Sequence, residues 1–564
     1  MEIFKTPQLF ANRLLLAICW VLPWINPFTS APSTSVVPLL LSWMLAACAL
    51  LLVVDEAPAP SNQALSSKFH LATPGPWGLL LLGWFWVSAL TVPEVIDRAL
   101  TAGFFASIAC VWIAMQVGKR VANSNNGLLP WLLGAVLLAA LMSSVLAVLQ
   151  YLGLAADLSP WVNQPRAGDA FANLRQRNQF ASLTSLGLVA LLGWIALARN
   201  LTKPHEAMAW FALTLLAAGL ACSVSRTGAV QWLVLALLAL FFAWKERRKV
   251  PPFFKALAIA APLLVIFWSC VLPWIALELN GVMGASLLLR FSGQAQDYAV
   301  CGGRRVLWSN VFHMLGQYPW QGWGLGETDF AHYSTDYQGM RFCDLLDNGH
   351  NLPLHLALEL GVPFALACCA VSLYWFYFQG KGRAPQPVHR VAGAWLIVLG
   401  LHSMLEYPLW YGPFQISLGL ALGMWSVSAS NGGVEEDIGI RAQMLPIFVC
   451  ACLFLSCLFA AWDYNRVAQI YRQPAMRDTA YRDNPMQSAK QTWLFKNQVD
   501  FAQLMTQTIT PENAQETYDL GLRVLHYSPE PRVLERIALS LRVLGRDVEA
   551  EKIEKRIPSL APLK

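Results

Sequence analysis

The sequence predicts an all-α polytopic membrane protein of about thirteen transmembrane helices, with one large loop and a small C-terminal helical domain. Three observations carry this. Hydrophobic residues make up 56% of the 564-residue chain and charged residues only 13%, against about 25% charged in a globular protein. Apolar runs near the roughly 20 residues needed to cross a bilayer recur along most of the length. Tryptophans gather near the ends of those runs (Trp20, Trp24, Trp77, Trp131, Trp161, Trp320, Trp323), as interfacial aromatics do.

The spans fall at about 8–25, 36–54, 76–92, 98–117, 128–153, 179–198, 206–222, 227–244, 254–275, 351–377, 389–405, 411–428 and 443–462. The first run follows only a short charged stretch and lacks a small-residue cleavage site, so it reads as a retained helix rather than a signal peptide. Alternate short loops set the orientation. One group carries Lys119 and Arg120, Arg199 and Lys203, Lys245 to Lys249, and Lys381, Arg383 and Arg390. The other group, 26–35, 92–97 and 406–410, has no basic residue. Positive loops stay in the cytoplasm, which places the N-terminus inside and, with an odd number of spans, the C-terminal tail outside.

Four segments follow: a bundle of about nine spans over 1–275, a large outer loop at 276–350, further transmembrane helices over 351–462, and a polar tail from 463 to 564. Within the tail, "AQETYDLGLRVLHYSPEPRVLERIALSLRVLGRDVEAEKIEKRI" repeats apolar residues at three- and four-residue intervals. It reads as short amphipathic helices, either a tetratricopeptide-like hairpin stack or a small capping bundle. Of the twelve cysteines, only Cys301 and Cys343 lie outside apolar runs. Both are in the large loop, where an oxidising compartment permits a disulfide between them.

Polar residues in or near spans are costly and mark function by default. Sorted by this topology, the notable ones share the outer face. Arg175 and Arg177 in "NLRQRNQFASL" precede the sixth span, and Arg226 in "SVSRTGAV" occupies a tight turn. Arg304 and Arg305 in "CGGRRVLWSN" lie in the large loop, His350 at the mouth of the tenth span, and Glu406 in "HSMLEYPLWYG" at another turn. Arg175 and Arg177 taken singly also fit arginines that snorkel to headgroups. Arg226, on the side where short loops avoid basic residues, calls for an anionic partner. His355 and Glu359 share a helix face four residues apart and read as an internal pair, as do His402 and Glu406, with no third metal ligand nearby. Together the arginines and His350 describe a site for a large anion. Arginine's planar fork suits phosphate oxygens, and a histidine, ordinarily titrating near pH 6.5 or about there, can take a proton from an attacking hydroxyl. Nothing points to nucleic acid.

These stretches resemble the superfamily of O-antigen ligases, O-antigen polymerases and bacterial protein O-oligosaccharyltransferases. The resemblance rests on "NLRQRNQFA" (173–181), "SVSRTGA" (223–229), "RRVLWSNVFHMLGQYPWQGWGLG" (304–326) and "NGHNLPLHLALELGVP" (348–363). "HSMLEYPLWYGPF" (402–414), the helical tail and "LPWINPFTSAPSTSV" look like the protein-glycosylating branch. In that early loop the family shows a histidine and an acidic residue that this chain lacks at Thr29 and around Ser42. The resemblance implies a helical-type membrane glycosyltransferase fold in the bacterial inner membrane, with a periplasmic active site and tail. It also implies an undecaprenyl-pyrophosphate-linked oligosaccharide donor, no cofactor and no metal, and a protein acceptor such as pilin. His350 matches the family's loop histidine. Arg226, Arg304 or Arg305, and Arg175 or Arg177 match its arginine positions as donor ligands. Catalysis is expected from His350, Arg226 and Glu406. A lipid A core acceptor, an O-antigen polymerase and a transporter of lipid-linked sugars are the competing readings.

Overall fold

Backbone groups find no water in hydrocarbon, so apolar runs close their hydrogen bonds internally as helices. The computed structural model describes residues 7–28, 36–54, 97–123, 127–166, 168–198, 201–246, 251–291, 300–380, 386–427 and 440–557, with no strand among them. The chain begins with α1 (Pro7–Ile25), α2 (Val36–Val54), α3 (Arg98–Asn123), α4 (Leu128–Tyr151), α5 (Arg177–Leu197), α6 (Lys203–Ser223), α7 (Arg226–Lys245) and α8 (Pro252–Asn280). Three short helices follow, α9 (Leu287–Phe291), α10 (Arg304–Leu315) and α11 (Thr328–Ser334). Then come α12 (Leu352–Leu360), α13 (Val362–Gly380), α14 (Pro387–Ser403), α15 (Gly412–Ser426) and the long α16 (Ile440–Tyr471). The tail holds α17 (Pro485–Ala489), α18 (Lys496–Thr506), α19 (Ala514–Leu525), α20 (Pro531–Val543) and α21 (Asp547–Glu554).

Among the described residues nine helices, α1 to α8 and α16, are long and apolar enough to cross a bilayer, and α13 is a shorter apolar helix. The protein is therefore an all-helical, multi-pass membrane protein, as the sequence predicts. The span expected at 76–92 lies outside the described residues. The others correspond to α1–α8 and α12–α16, with one change at 351–377.

Two compact units result. The first comprises the described residues of 1–67, 106–295 and 379–458. Its helices approach closely at small residues, the packing that membrane helices favour. Gly187 of α5 lies against Ala140 of α4, and Gly219 of α6 against Ser144. Along α15, a Cβ at Gly419 or Gly423 would strike the carbonyls of Val111 and Met115 on α3. Gly423→Leu should therefore destabilise the unit by about 1–3 kcal/mol, read as a lower midpoint of thermal unfolding in detergent. Gly134→Ala, inside α4 and with nothing within 4 Å of the added carbon, should not lower that midpoint, since alanine is the better helix former.

The second unit comprises the described residues of 68–105, 296–378 and 459–564. Here the apolar run 351–377 is two helices, not one. Gly361 has φ +88°, a conformation side chains rarely adopt, and a Cβ there would strike the Trp320 carbonyl. Carbonyls freed at the end of α12 need donors, and the 319–324 loop supplies them. Trp323 N donates to Leu358 O (2.8 Å) and Gly324 N to Glu359 O (2.9 Å), while Val362 N donates back to Pro319 O (2.9 Å). Beneath this break α10 and α12 share a core of Leu307, Val311, Met314, Leu346 and Leu358. Cys301 and Cys343 form a disulfide with their Cα atoms 5.4 Å apart.

In the tail, the three- and four-residue periodicity becomes α19 to α21. Gly521 lets α19 approach Ile537 of α20. Gly545 (φ +72°) closes α20, its N–H donating to Arg542 O and that of Arg546 to Leu541 O, the paired bonds of a Schellman motif. The core of these helices (Leu504, Leu520, Val524, Val533, Ile537, Leu541) also contains Tyr333, with Phe330 packed against it, both from α11. Asp463 of α16 fastens the approach to the tail, accepting from Thr492 Oγ1 (2.8 Å), Trp493 N (3.1 Å), Leu494 N (2.8 Å) and Arg466.

Candidate active site

In the first unit the candidate residues gather on the Arg226 turn. α6 ends at Ser223, Val224 takes φ +52°, and Ser225 caps α7 by accepting from Gly228 N (3.1 Å). Arg226 is the first residue of α7 and is exposed. A β-branched residue at positive φ is an outlier that surrounding structure must enforce, at a cost of about 1–3 kcal/mol. The Val224 carbonyl is held by Arg290 Nη1 of α9 (2.9 Å). Ser225 Oγ donates to Asn178 Oδ1 (2.6 Å), and Asn178 Nδ2 donates to Glu406 Oε1 (2.8 Å). The other carboxylate oxygen of buried Glu406 accepts from Gln176 Nε2 (3.2 Å). Glu406 and the 175–178 stretch are thus tied to the turn that presents Arg226.

Arg177 heads α5 and places Nη2 on both oxygens of Asp169, at 2.9 and 3.1 Å. Arg175 is exposed on a left-handed residue (φ +59°). Left-handed Ala172 is clamped by Gln150, which donates to Ala172 O (2.8 Å) and accepts from Ala172 N (2.8 Å). One turn into α5, Ser182 Oγ contacts His402 Nδ1 (2.9 Å) and Gln231 (2.9 Å), carrying a polar chain into the bundle.

In the second unit, Arg304 heads α10 and Arg305 beside it is exposed. One turn further along the helix, Trp308 Nε1 donates to Gly349 O (3.2 Å), which ties α10 to the loop holding His350. His350 has φ +46°, its N–H donates to Asn348 Oδ1 (2.8 Å), and Asn351 then caps α12 by accepting from Leu354 N (3.1 Å). His355 Nε2 lies 3.6 Å from Glu359 Oε1, and the same oxygen accepts from Thr328 Oγ1 (2.8 Å). Among the described residues no group of three or more His, Cys, Asp or Glu is arranged to hold a metal ion.

Two regularities mark these loops. Arg177, Arg226 and Arg304, like Arg98 of α3, are each the first residue of a helix with no acid in its first turn. A cation there adds to the positive end of the helix dipole, costing about 0.3–1 kcal/mol at an exposed end, and makes that end attractive to anions. Among the described residues, positive φ at a non-glycine occurs at Ala172, Arg175, Val224 and His350, in or beside the Arg177, Arg226 and His350 stretches. Such strain concentrates at functional sites.

The sequence reading missed Asp169, Asn178, Ser225, Gln150 and Arg290. Asn178 and Ser225 sit inside the very stretches quoted for their arginines, which was the available signal. Arg290 offered none.

Beside the His350 loop, burial pushes the Asp329 carboxyl up to about 8, and burial together with Arg341 brings His332 down to about 3. A raised carboxyl stabilises the fold fully below its unfolded value and loses that contribution as pH rises to about 8. A depressed histidine loses its contribution as pH falls below about 6.5. Between about 4 and 6.5 the two slopes oppose each other, so stability should fall from about pH 6.5 to 8 and then level off. Thermal unfolding of Asp329→Asn should show no fall over that interval.

Comparisons with known proteins bear on this arrangement. A family described as O-Antigen ligase matches residues 211–369, which contain Arg226, Arg304 and His350. Protein glycosylation ligase matches 170–195, the Arg175 stretch, and Virulence factor membrane-bound polymerase, C-terminal, matches 391–560. By these matches the chain is similar to membrane enzymes of the O-antigen ligase type, and the nine long apolar helices among its described residues suit that likeness. Within that class its likeness is to O-oligosaccharyltransferases. A General O-oligosaccharyltransferase of Acinetobacter baylyi is 24% identical over 468 residues, covering 81% of this chain and 76% of the relative. The resemblance drawn from the motifs stands.

Proposed function

We propose that the protein transfers an oligosaccharide from undecaprenyl pyrophosphate to serine or threonine hydroxyls of exported proteins such as pilin. The reaction takes place at the periplasmic face of the bacterial inner membrane. The observation that supports this most is that three of the four arginine-headed helices without acids in their first turns, those of Arg177, Arg226 and Arg304, start in the motif stretches, which favours a polyanion of the pyrophosphate kind. Arg226 and the exposed members of the two pairs, Arg175 and Arg305, are assigned to the donor. Arg177, engaged by Asp169, shapes its loop, and Arg304 heads its helix.

In the proposed step the acceptor oxygen attacks the anomeric carbon. The bond from that carbon to the pyrophosphate oxygen breaks, and undecaprenyl pyrophosphate leaves with the bonding pair. The hydroxyl proton passes to His350. A single displacement of this kind inverts the configuration. The arginines stabilise charge as it grows on the leaving group. Glu406, first read as catalytic, acts instead by holding Asn178 and hence the Ser225–Arg226 turn.

The test is reconstitution of purified protein with the lipid-linked oligosaccharide and, in separate tubes, a pilin and a lipid A core. Glycan on pilin is expected. The O-antigen ligase match over 211–369 favours lipid A core as the second reading. Transfer there alone would keep the donor chemistry and replace the acceptor, whereas transfer to neither would return the transporter reading.

A further inference from the structure

We infer that the C-terminal helices position the His350 loop through a polar chain that starts at His526, an inference resting on the reading of His350 as the base. His526 follows α19 and stacks on Phe330 of α11, with ring centroids 3.8 Å apart. Its Nδ1 lies 2.7 Å from Glu327 Oε2. Glu327 immediately precedes α11, and the next residue, Thr328, donates its hydroxyl to Glu359 Oε1 of α12 (2.8 Å). That oxygen is 3.6 Å from His355 Nε2. His355 N donates to Asn351 O (2.9 Å), and Gly349 lies against His355, in van der Waals reach of a Cβ. Gly349 and Asn351 are the two neighbours of His350.

Glu327, Thr328, His355 and Glu359 are all buried. Docking the tail does not require them, because Tyr333 and Phe330 already join its apolar core and Arg556 reaches Tyr333 O (3.3 Å) and Asp336 (3.2 Å). Burying two carboxylates costs free energy unless each is matched. The matching groups run from the tail to the His355 side chain, and the backbone of His355 holds Asn351 O and packs on Gly349, the two residues that flank His350. A left-handed histidine must be enforced by what surrounds it, and this line reaches both of its neighbours. His526, Glu327, Thr328 and Glu359 are therefore positioning residues for His350.

The test uses the full chain in the reconstituted transfer assay. His526→Phe keeps the stack on Phe330 and deletes the Nδ1 contact, Thr328→Val deletes the hydroxyl at nearly equal volume, and Glu327→Gln keeps an acceptor oxygen for His526. Each of the first two should lower kcat about three- to tenfold with both KM values within about twofold, while Glu327→Gln stays within about twofold of wild type. The double variant His526→Phe/Thr328→Val should be no slower than the slower single, because both break one line. Wild-type rates in the singles, losses that multiply in the double, or a raised acceptor KM at unchanged kcat would each overturn the inference. Should His526→Phe loosen the tail to protease, Thr328→Val, which lies outside the tail, carries the decision. His350→Ala runs alongside. If it transfers at the wild-type rate, the reading of His350 falls and this inference with it. If it is inactive while His526→Phe and Thr328→Val are normal, only the inference falls.

Discussion

His350→Ala should lower turnover about 10²–10⁴-fold, the range spanned by a positioned general base. Donor KM should change little, because the side chain is assigned to the acceptor hydroxyl rather than to the pyrophosphate. The fold should tolerate the change, since the loop is fixed by backbone and neighbouring groups. His350 N–H binds Asn348, Trp308 holds Gly349 O, and Asn351 caps α12. Losing the imidazole breaks none of these bonds. The measurement is single-turnover transfer with radiolabelled or fluorescent donor at matched protein levels. Full activity in this variant would remove His350 from the chemistry.

Arg226→Ala should cost about 10²–10³-fold in kcat/KM, comparable with removing one preorganised donor from a site of developing charge. Arg226→Lys should recover only part of the loss, because an ammonium is a point charge without the planar fork that engages two phosphate oxygens. The stability of the turn should be unaffected or slightly improved, since a cation is removed from the positive end of α7. That sign is diagnostic. A residue kept for structure loses stability when truncated, whereas one kept for binding loses only activity. Thermal unfolding in detergent and transfer kinetics on the same preparation separate the two.

Much of this was legible from composition and spacing. Long apolar runs have one solution in hydrocarbon, so α1 to α8 and α16 fall close to where hydropathy puts them. Arg226 stood out because a guanidinium in a tight turn between two apolar runs is hard to explain otherwise. The break at Gly361 was hidden, because two short apolar helices in succession read as one long run. Its cause is tertiary: the 319–324 loop crosses the helix end and takes its carbonyls. The bond from Asn178 to Ser225 joins residues 47 positions apart, and that from Asn178 to Glu406 joins residues 228 apart. Asn and Ser are ordinary near helix starts, so nothing local announced that these would meet. By sequence Arg290 is one basic residue in a long loop, yet it holds the strained carbonyl two residues before Arg226.

Phe330 and Tyr333, which belong to the core of the tail, have a consequence for how the enzyme is born. His526 and Glu327 are 199 residues apart in the chain. At ordinary rates of synthesis the ribosome needs about 10–40 s to travel that distance. Throughout that interval α11 has no apolar partner from the tail, and its aromatic rings must wait or be shielded. Chains cut short before α19 would insert their membrane helices and still lack the finished loop, so the nascent enzyme is expected to remain silent until its final helices have been made.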